Sequence, residues 1–326
     1  MRVAIVGCGL IGAKRARALE PDDRLVVVAD TDRDRAAKLA GETGARIAAD
    51  AAQAIGDPET EAVIVAVTHD QLAPIALAAI QAGKPVLLEK PGARQAAELD
   101  PLIAAARTAK VTVKVGYNHR FHPAFQKARQ LVDSGVLGPL LFVRGRYGHG
   151  GRLGYEKEWR FDPAVSGGGE LLDQGSHLID LAGWFLGDFA TVEGHLARYF
   201  WNAPVEDNAF VSLRTAQGQT AWLQAGWTEW KNIFSFEIMG RLGKLQIDGL
   251  GGSYGTETLT YYQMLPEMGP PKTERFEFAQ PDSSWAAEWQ EFAQAAKVRR
   301  QPSGGLEEAR RTLAVIDRLY ERTRGP

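Results

Sequence analysis

A short β-branched run, Val3-Ala-Ile-Val6, delivers the loop Gly7-Cys8-Gly9-Leu10-Ile11-Gly12 straight into a helix-compatible stretch, Ala13-Lys-Arg-Ala-Arg-Ala-Leu19. Strand, Gly-x-Gly-x-x-Gly loop and helix in that order leave few folds open. Gly7 permits a tight turn, Gly9 leaves room for a phosphate to reach the backbone, and Gly12 lets the helix lie close on its strand. The free N–H groups and the positive dipole end of that helix suit a pyrophosphate. Three glycines alone would also fit an ordinary β-turn-α connection, and the flanking pattern favours a dinucleotide cradle.

A second strand, Arg24-Leu-Val-Val-Val-Ala29, ends on Asp30. That is the place, about 20 residues beyond the glycines, where an acidic side chain accepts from the adenosine ribose hydroxyls. A carboxylate there repels a 2′-phosphate, so NAD is favoured, while Arg33 and Arg35 keep NADP open. Asp30 could instead cap the next helix, although Asp32 is better placed for that.

Up to residue 120 short apolar runs at 2–6, 24–29, 46–48, 62–67, 85–88 and 111–115 alternate with alanine-rich helical stretches at 10–19, 33–41, 70–82 and 94–109. This is the pattern of a parallel sheet covered on both faces. After Pro123 the style changes. Helical stretches at 124–133 and 169–187 accompany strand-like pieces at 140–147, 190–200, 207–214, 219–228, 233–240, 243–248, 257–263 and 273–278, and helices at 284–299 and 306–323 close the chain. Strands without helical crossovers read as a mostly antiparallel sheet. The expectation is an α/β protein with an N-terminal Rossmann domain over 1–120 and a C-terminal α/β domain over 121–326 carrying a mostly antiparallel open sheet.

A chain of 326 residues has room for two such domains. Its net charge of −2 gives no electrostatic reason to expect nucleic acid or an anionic membrane. No apolar run is long enough to span a bilayer, and the N-terminus lacks a basic head. The single cysteine, Cys8, excludes an intrachain disulfide framework and fits a reducing cytoplasm. Histidines at 69, 119, 122, 149, 177 and 195 show no metal-ligand pattern, so no metal is expected.

Two further segments carry chemistry. Lys84-Pro-Val-Leu-Leu-Glu89-Lys90-Pro91 runs a buried strand into a charged pair, and open α/β sheets bind ligands at the carboxyl ends of their strands. Lys90 there could hydrogen-bond a substrate hydroxyl and stabilise charge developing on it, or form a surface pair with Glu89. Ser166-Gly-Gly-Gly169 leads into Glu170-Leu-Leu-Asp173-Gln-Gly175-Ser-His177-Leu-Ile-Asp180-Leu-Ala-Gly-Trp184-Phe-Leu186. At about 100° per residue, Leu171, Leu172, Leu178, Ile179, Ala182, Phe185 and Leu186 share one apolar stripe with Gly175. Asp173, His177, Asp180 and Trp184 share the other face. A carboxylate one turn before His177 could hold its imidazole and raise its basicity; taken alone, the pair also reads as an exposed feature of an amphipathic helix. Gly175 in the apolar stripe suggests that another backbone passes close by.

In its order and spacing this set resembles the Gfo/Idh/MocA family of nicotinamide-dependent oxidoreductases over essentially the whole chain. The carriers are Gly7-x-Gly9-x-x-Gly12, Glu89-Lys90-Pro91, Val115-Gly-Tyr117-Asn118-His-Arg120-Phe121 and Gly167-Gly-Gly-Glu-Leu-Leu-Asp173-Gln-Gly-Ser-His177. The resemblance implies a Rossmann domain joined to an α/β domain whose open sheet often mediates oligomerisation, and Lys90, Asp173 and His177 as the catalytic group. The family's frequent Thr-Pro-Asn after the fourth strand is here Thr68-His69-Asp70. The expected cofactor contacts are Gly7, Gly9, Leu10, Ile11, Gly12, Asp30, Thr31, Thr68, His69, Glu89 and Lys90.

Oxidising a secondary alcohol requires loss of the hydroxyl proton as hydride leaves carbon. His177 is the expected general base, with Asp173 orienting it and Lys90 polarising the oxygen. For substrate, the loop 147–160 is dense in aromatics, cations and glycine. Tyr155, Trp159 and Arg160, with Tyr117, Asn118, Arg120 and His122, make an expected carbohydrate pocket. Arg152 or Arg160 could hold a carboxylate or phosphate. The leading expectation is a dehydrogenase or reductase acting on a sugar, nucleotide sugar or cyclitol with NAD, NADP being possible. An NAD-dependent glycosidase acting by transient oxidation and a catalytically silent nicotinamide-binding regulator are the alternatives. Large side chains on the later strands, among them Trp201, Trp222, Trp227, Trp230, Phe234, Phe236, Tyr261 and Tyr262, suggest a homodimer or homotetramer.

Overall fold

Buried valine and isoleucine runs build the first sheet, and the alanine-rich stretches between them supply its crossovers. In chain order the elements are β1 (Arg2–Val6), α1 (Leu10–Arg17), β2 (Arg24–Ala29), α2 (Arg33–Thr43), β3 (Arg46–Ile47), α3 (Ala51–Gly56), β4 (Ala62–Val65), α4 (His69–Gln81), β5 (Val86–Leu88), α5 (Asp100–Ala109) and β6 (Val113–Val115). The six strands pair in parallel in the order β3-β2-β1-β4-β5-β6. This is the doubly wound order in which the chain reverses direction beside β1, and ligands bind beyond the carboxyl ends of the strands there. The computed structural model describes residues 1–267 and 269–323 and divides them into two units.

The first unit comprises Met1–Tyr117 with Ala164–Gly167 and Trp285–Arg311. Its main segment ends close to the expected division at residue 120, and two later segments join it; the expected end at 326 lies outside the described residues. Trp289 and Phe292 from the second of these segments pack with Val3, Ile5, Val28, Ile64 and Leu87 in one apolar cluster. Helix α3 has no counterpart in the sequence-based expectation, because its six residues are too short for a periodic signal.

In the second unit the elements are α6 (Pro123–Asp133), β7 (Leu140–Gly148), α7 (Pro163–Ser166, shared with the first unit), α8 (Ser176–Leu186), β8 (Phe189–Ala197), β9 (Asn208–Thr215), β10 (Thr220–Gly226), β11 (Ile233–Gly240), β12 (Gly243–Asp248), β13 (Glu257–Gln263) and β14 (Lys272–Phe278). Two closing helices follow, α9 (Ser284–Val298) and α10 (Leu306–Thr323). The eight strands form one sheet in the order β14-β13-β12-β11-β7-β10-β9-β8, antiparallel except for β7 against β10. Burial alternates along β11: Phe234, Phe236 and Ile238 are buried, whereas Ile233, Ser235 and Glu237 are only half-buried. Helix α8 packs on the buried face, where Leu178 lies over Gly145 of β7. Among the described residues no helix is long and apolar enough to cross a membrane, and no group of three or more His, Cys, Asp or Glu could hold a metal ion.

Candidate active site

The turn from β1 into α1 requires its glycines for different reasons. Gly7 has a φ of +96°, and a methyl there would overlap the Ala66 carbonyl; a methyl on Gly12 would overlap the Gly7 carbonyl, which is how closely α1 lies on its strand. Gly9 faces open space: the nearest atom that a methyl on it would meet is Arg35 Nη1, 3.9 Å away. No side chain caps α1, so its first-turn N–H groups remain available beside that opening. Leu10 is 73% exposed and Ile11 half-buried. The loop therefore fits a dinucleotide pyrophosphate. Asp30 closes its side: one carboxylate oxygen accepts from Cys8 N–H at 2.6 Å and the other from Asp32 N–H at 2.8 Å. Asp32 itself caps α2 by accepting from the N–H groups of Asp34 and Arg35. Thr31 is exposed at the strand end, and Thr68 donates to Asp70 at 2.7 Å. Arg33 donates to the carbonyls of Ala48 and Ala49, and Arg35 pairs with Asp32 at 3.0 Å. Burial, with Asp30 adding to it, pushes the Cys8 thiol up to about 12, so this cysteine is inert.

Two expected cofactor contacts are used differently. The Glu89 carboxylate meets Arg15 at 2.5 Å, and Arg15 also donates to Glu288 at 2.6 Å, both inside the first unit. A cation as buried as Arg15, 1% exposed, must keep such partners, so Glu89 is held in the core by that pair. His69 is buried, and its Nδ1–H donates to the Ser166 carbonyl at 2.8 Å, tying segment 164–167 to the start of α4. Lys90 is half-buried at the carboxyl end of β5, and the Lys90–Pro91 bond is cis.

In the second unit the expected continuous helix 169–187 is interrupted. Leu171–Gly175 forms a single π-helical turn, and α8 starts at Ser176. Such wide turns frequently mark functional sites. The crowding at Gly175 comes from Leu171 at 3.3 Å and the Glu170 carbonyl at 3.4 Å within this turn, and from the Ala225 methyl at 3.7 Å, rather than from a passing backbone. The start of the segment is held by Glu206, which the sequence did not single out. Its carboxylate accepts from Gly169 N–H at 3.1 Å, Leu171 N–H at 3.1 Å and the Tyr320 hydroxyl at 2.7 Å. A methyl on Gly168 would overlap the Tyr320 hydroxyl and one on Gly169 the Glu206 carbonyl, which explains the glycine run.

His177 is not on an exposed face: it is 5% exposed, and its ring lies on His119 with centroids 3.7 Å apart. Asp173 accepts from Arg160 Nε at 3.2 Å and remains partly exposed. Tyr147 stands edge-on to His177 and to Tyr254, and Tyr254 accepts from Gln174 Nε2 at 3.2 Å. Tyr254 and Gln174 had no distinguishing signal in the sequence.

The expected sugar contacts divide. Arg160 lies over the half-buried Trp159 ring at 4.8 Å and also meets Glu158 at 3.1 Å, so this cluster is partly open. The structure places the others inside the fold. Tyr155 is buried among Phe161, Trp201 and Trp227. Arg120 is 2% exposed and forks onto Asp180 at 2.7 and 2.6 Å. His122 Nδ1 lies 2.9 Å from Glu257, and Asn118 donates to Ser284 Oγ at 2.9 Å. Tyr117, in the first unit, is fully buried. The charged and amide groups of this motif thus have partners inside the core, as buried polar groups require.

Residues 1–117 match the family described as Oxidoreductase family, NAD-binding Rossmann fold, and residues 125–246 that of the GFO/IDH/MocA C-terminal domain. The chain belongs to the Gfo/Idh/MocA oxidoreductase family. It is 34% identical over 67% of its length to inositol 2-dehydrogenase 2 of Saccharopolyspora erythraea, a match spanning 64% of that relative. It is 30% identical over 69% of its length to inositol 2-dehydrogenase 2 of Paenarthrobacter aurescens, spanning 68% of that protein. Among solved structures, a levoglucosan dehydrogenase in complex with NADH and L-sorbose superposes with a TM-score of 0.88 at 22% identity, covering 98% of this chain and 96% of that one.

Proposed function

We propose that this chain is a nicotinamide-dependent dehydrogenase or reductase acting on a secondary alcohol or ketone of an uncharged polyol, a cyclitol or a pyranose, with NAD preferred. What carries the reading is the glycine loop with its open side at Gly9, in a chain of this family. The loop 7–12, the first turn of α1 and Asp30 would hold the dinucleotide, which when bound supplies the hydride acceptor or donor. His177 takes or returns the hydroxyl proton, Asp173 orients it, and Lys90 hydrogen-bonds the oxygen as charge develops.

The preference for an uncharged substrate rests on the arginines. Arg152 and Arg160 pair with Glu158, Arg160 also with Asp173, and Arg120 with Asp180. These three arginines are thus already matched by carboxylates. The inositol 2-dehydrogenases among its relatives point the same way.

The test is a panel of inositols, pyranoses and UDP- or dTDP-sugars with NAD and NADP, followed by NADH absorbance. Turnover of a neutral polyol with NAD is expected, and H177A should lose about 10²–10⁴-fold in kcat. Turnover confined to nucleotide sugars, or NADPH binding tighter than NADH, overturns the corresponding part. Glycosidic cleavage without net NADH favours the glycosidase alternative.

The reading includes a homodimer or homotetramer formed through the open face of the second sheet. Of the aromatics expected there, Trp227, Phe234, Phe236 and Tyr261 are buried within the chain. Trp222 at 58% and Trp230 at 65% exposure remain outside, joined by Tyr199 and Phe200. Exposed aromatics in such number suit a self-complementary contact.

A further inference from the structure

His119 and His177 come from different elements, the turn Asn118–Phe121 and the first turn of α8, yet their rings are face to face, 3.7 Å between centroids and 25° from parallel. Both are 5% exposed. The His119 ring is fixed from behind. Asn118 donates its amide N–H to Ser284 Oγ at 2.9 Å, which turns its oxygen towards His119 Nδ1, 3.2 Å away. His119 Nδ1–H therefore donates to Asn118. Tyr147 and Phe234 border the His119 ring at 5.2 and 6.0 Å.

Several charged groups near the stack have partners of their own, and burial, with the buried Glu170 adding to it, raises the phenols of Tyr147 and Tyr254. From the turn that carries His119, Arg120 is forked onto Asp180 of α8, and His122, edge-on to His119 at 5.6 Å, is bonded to Glu257 of β13 and lies 3.9 Å from Asp282. From the π turn, Asp173 meets Arg160. From β7, Tyr147 is held well above the usual phenol range by burial and stays neutral. The two rings meet face to face. A neutral imidazole face stabilises an adjacent imidazolium, whereas two imidazolium ions at this separation, shielded from water, repel.

We propose that His119 is a positioning residue for His177: the stack fixes the plane of the His177 ring and lets the pair hold one proton readily and a second only with difficulty. The inference rests on His177 being the general base proposed above. The proton released by a substrate hydroxyl then passes to His177 while His119 stays neutral against its face, and it leaves the same ring when the direction reverses.

The test is a proton NMR titration of the two Cε1–H resonances in the full chain. Wild type is expected to show two steps separated by more than about one pH unit, as a coupled pair does. In H119F, which keeps an aromatic face and removes the second proton site, His177 should titrate in one step with a moved midpoint, and the pH profile of kcat should move with it. H119A, which removes the face, should lose about tenfold in kcat with KM little changed, and H119F should restore much of that loss. Circular dichroism checks that both variants fold, and the wild-type curve needs no variant. Superimposed His177 titrations in wild type and H119F overturn the coupling whatever the turnover. Wild-type turnover by H177A overturns the general-base reading, and with it the catalytic meaning of the stack.

Discussion

Glu206→Ala is the substitution whose consequence follows most directly from the geometry. It strips the acceptor from three donors, the N–H groups of Gly169 and Leu171 and the Tyr320 hydroxyl, which meet the carboxylate at 2.7–3.1 Å. Leaving a buried donor unsatisfied costs about 1–3 kcal/mol. With water entering the vacated space to recover part of this, the loss should be about 3–5 kcal/mol, a large share of the about 5–15 kcal/mol that holds a domain folded. Tyr320→Phe removes donor and demand together and should lose only about 0.5–1.5 kcal/mol. Burial holds the Glu206 carboxyl above its usual range. Above about pH 4.3 the folded chain therefore keeps a proton that the unfolded chain has released, so this group's contribution to stability falls as pH climbs through the raised value. Glu206→Gln should remove that slope. Urea unfolding followed by tryptophan fluorescence at several pH values reads all three variants. A Glu206→Ala loss below about 1 kcal/mol would refute the argument that this carboxylate anchors the start of the π turn.

Gly12→Ala should abolish NADH binding in a calorimetric titration, because the methyl would push α1 off the Gly7 carbonyl; wild-type affinity would contradict the close approach. Arg15→Met leaves Glu89 and Glu288 buried without their shared cation and should lose about 3–5 kcal/mol in thermal or urea unfolding. An unchanged midpoint would show that Lys114, 3.5 Å from Glu288, suffices. Trp222→Glu on the exposed sheet face should yield a 35.5 kDa particle in light scattering if that face joins subunits. A wild type already of that size ends the oligomer reading.

Much of this architecture is legible in the sequence because it is written in local patterns. The β1–α1 loop, Asp30 at the end of β2 and the eight strands of the second sheet are each marked by a short run of residues whose period or turn chemistry is unambiguous. What escapes is what depends on distant partners. Nothing near Glu89 announces Arg15 and Glu288, and nothing near Arg120 announces Asp180, so these buried ion pairs are not legible from the motifs that contain their members. Glu206 stands in an acidic stretch before β9 that resembles a loop; its role follows only from the passage of Gly168 and Gly169 beside it. The membership of α9 in the first unit is hidden for the same reason, since it joins the first sheet through Trp289 and Phe292 from far along the chain.

The π turn carries a phase change that a helical wheel alone does not contain. A regular helix advances about 100° per residue, so Asp173, His177 and Asp180 should share one face. One wide turn changes that phase, and from Ser176 onwards α8 buries both sides: Asp180 towards Arg120 and Leu178 towards the sheet. His177, at the junction, is delivered to the His119 ring, while Asp173, still inside the wide turn, stays partly open and faces Arg160. Glu206 holds the first N–H groups of this segment, and Asp180 locks its continuation. A wide turn inserted between two fixed ends cannot relax by rotating either one. The irregularity is thereby confined to Leu171–Gly175, the stretch that contains Asp173 and ends two residues before His177.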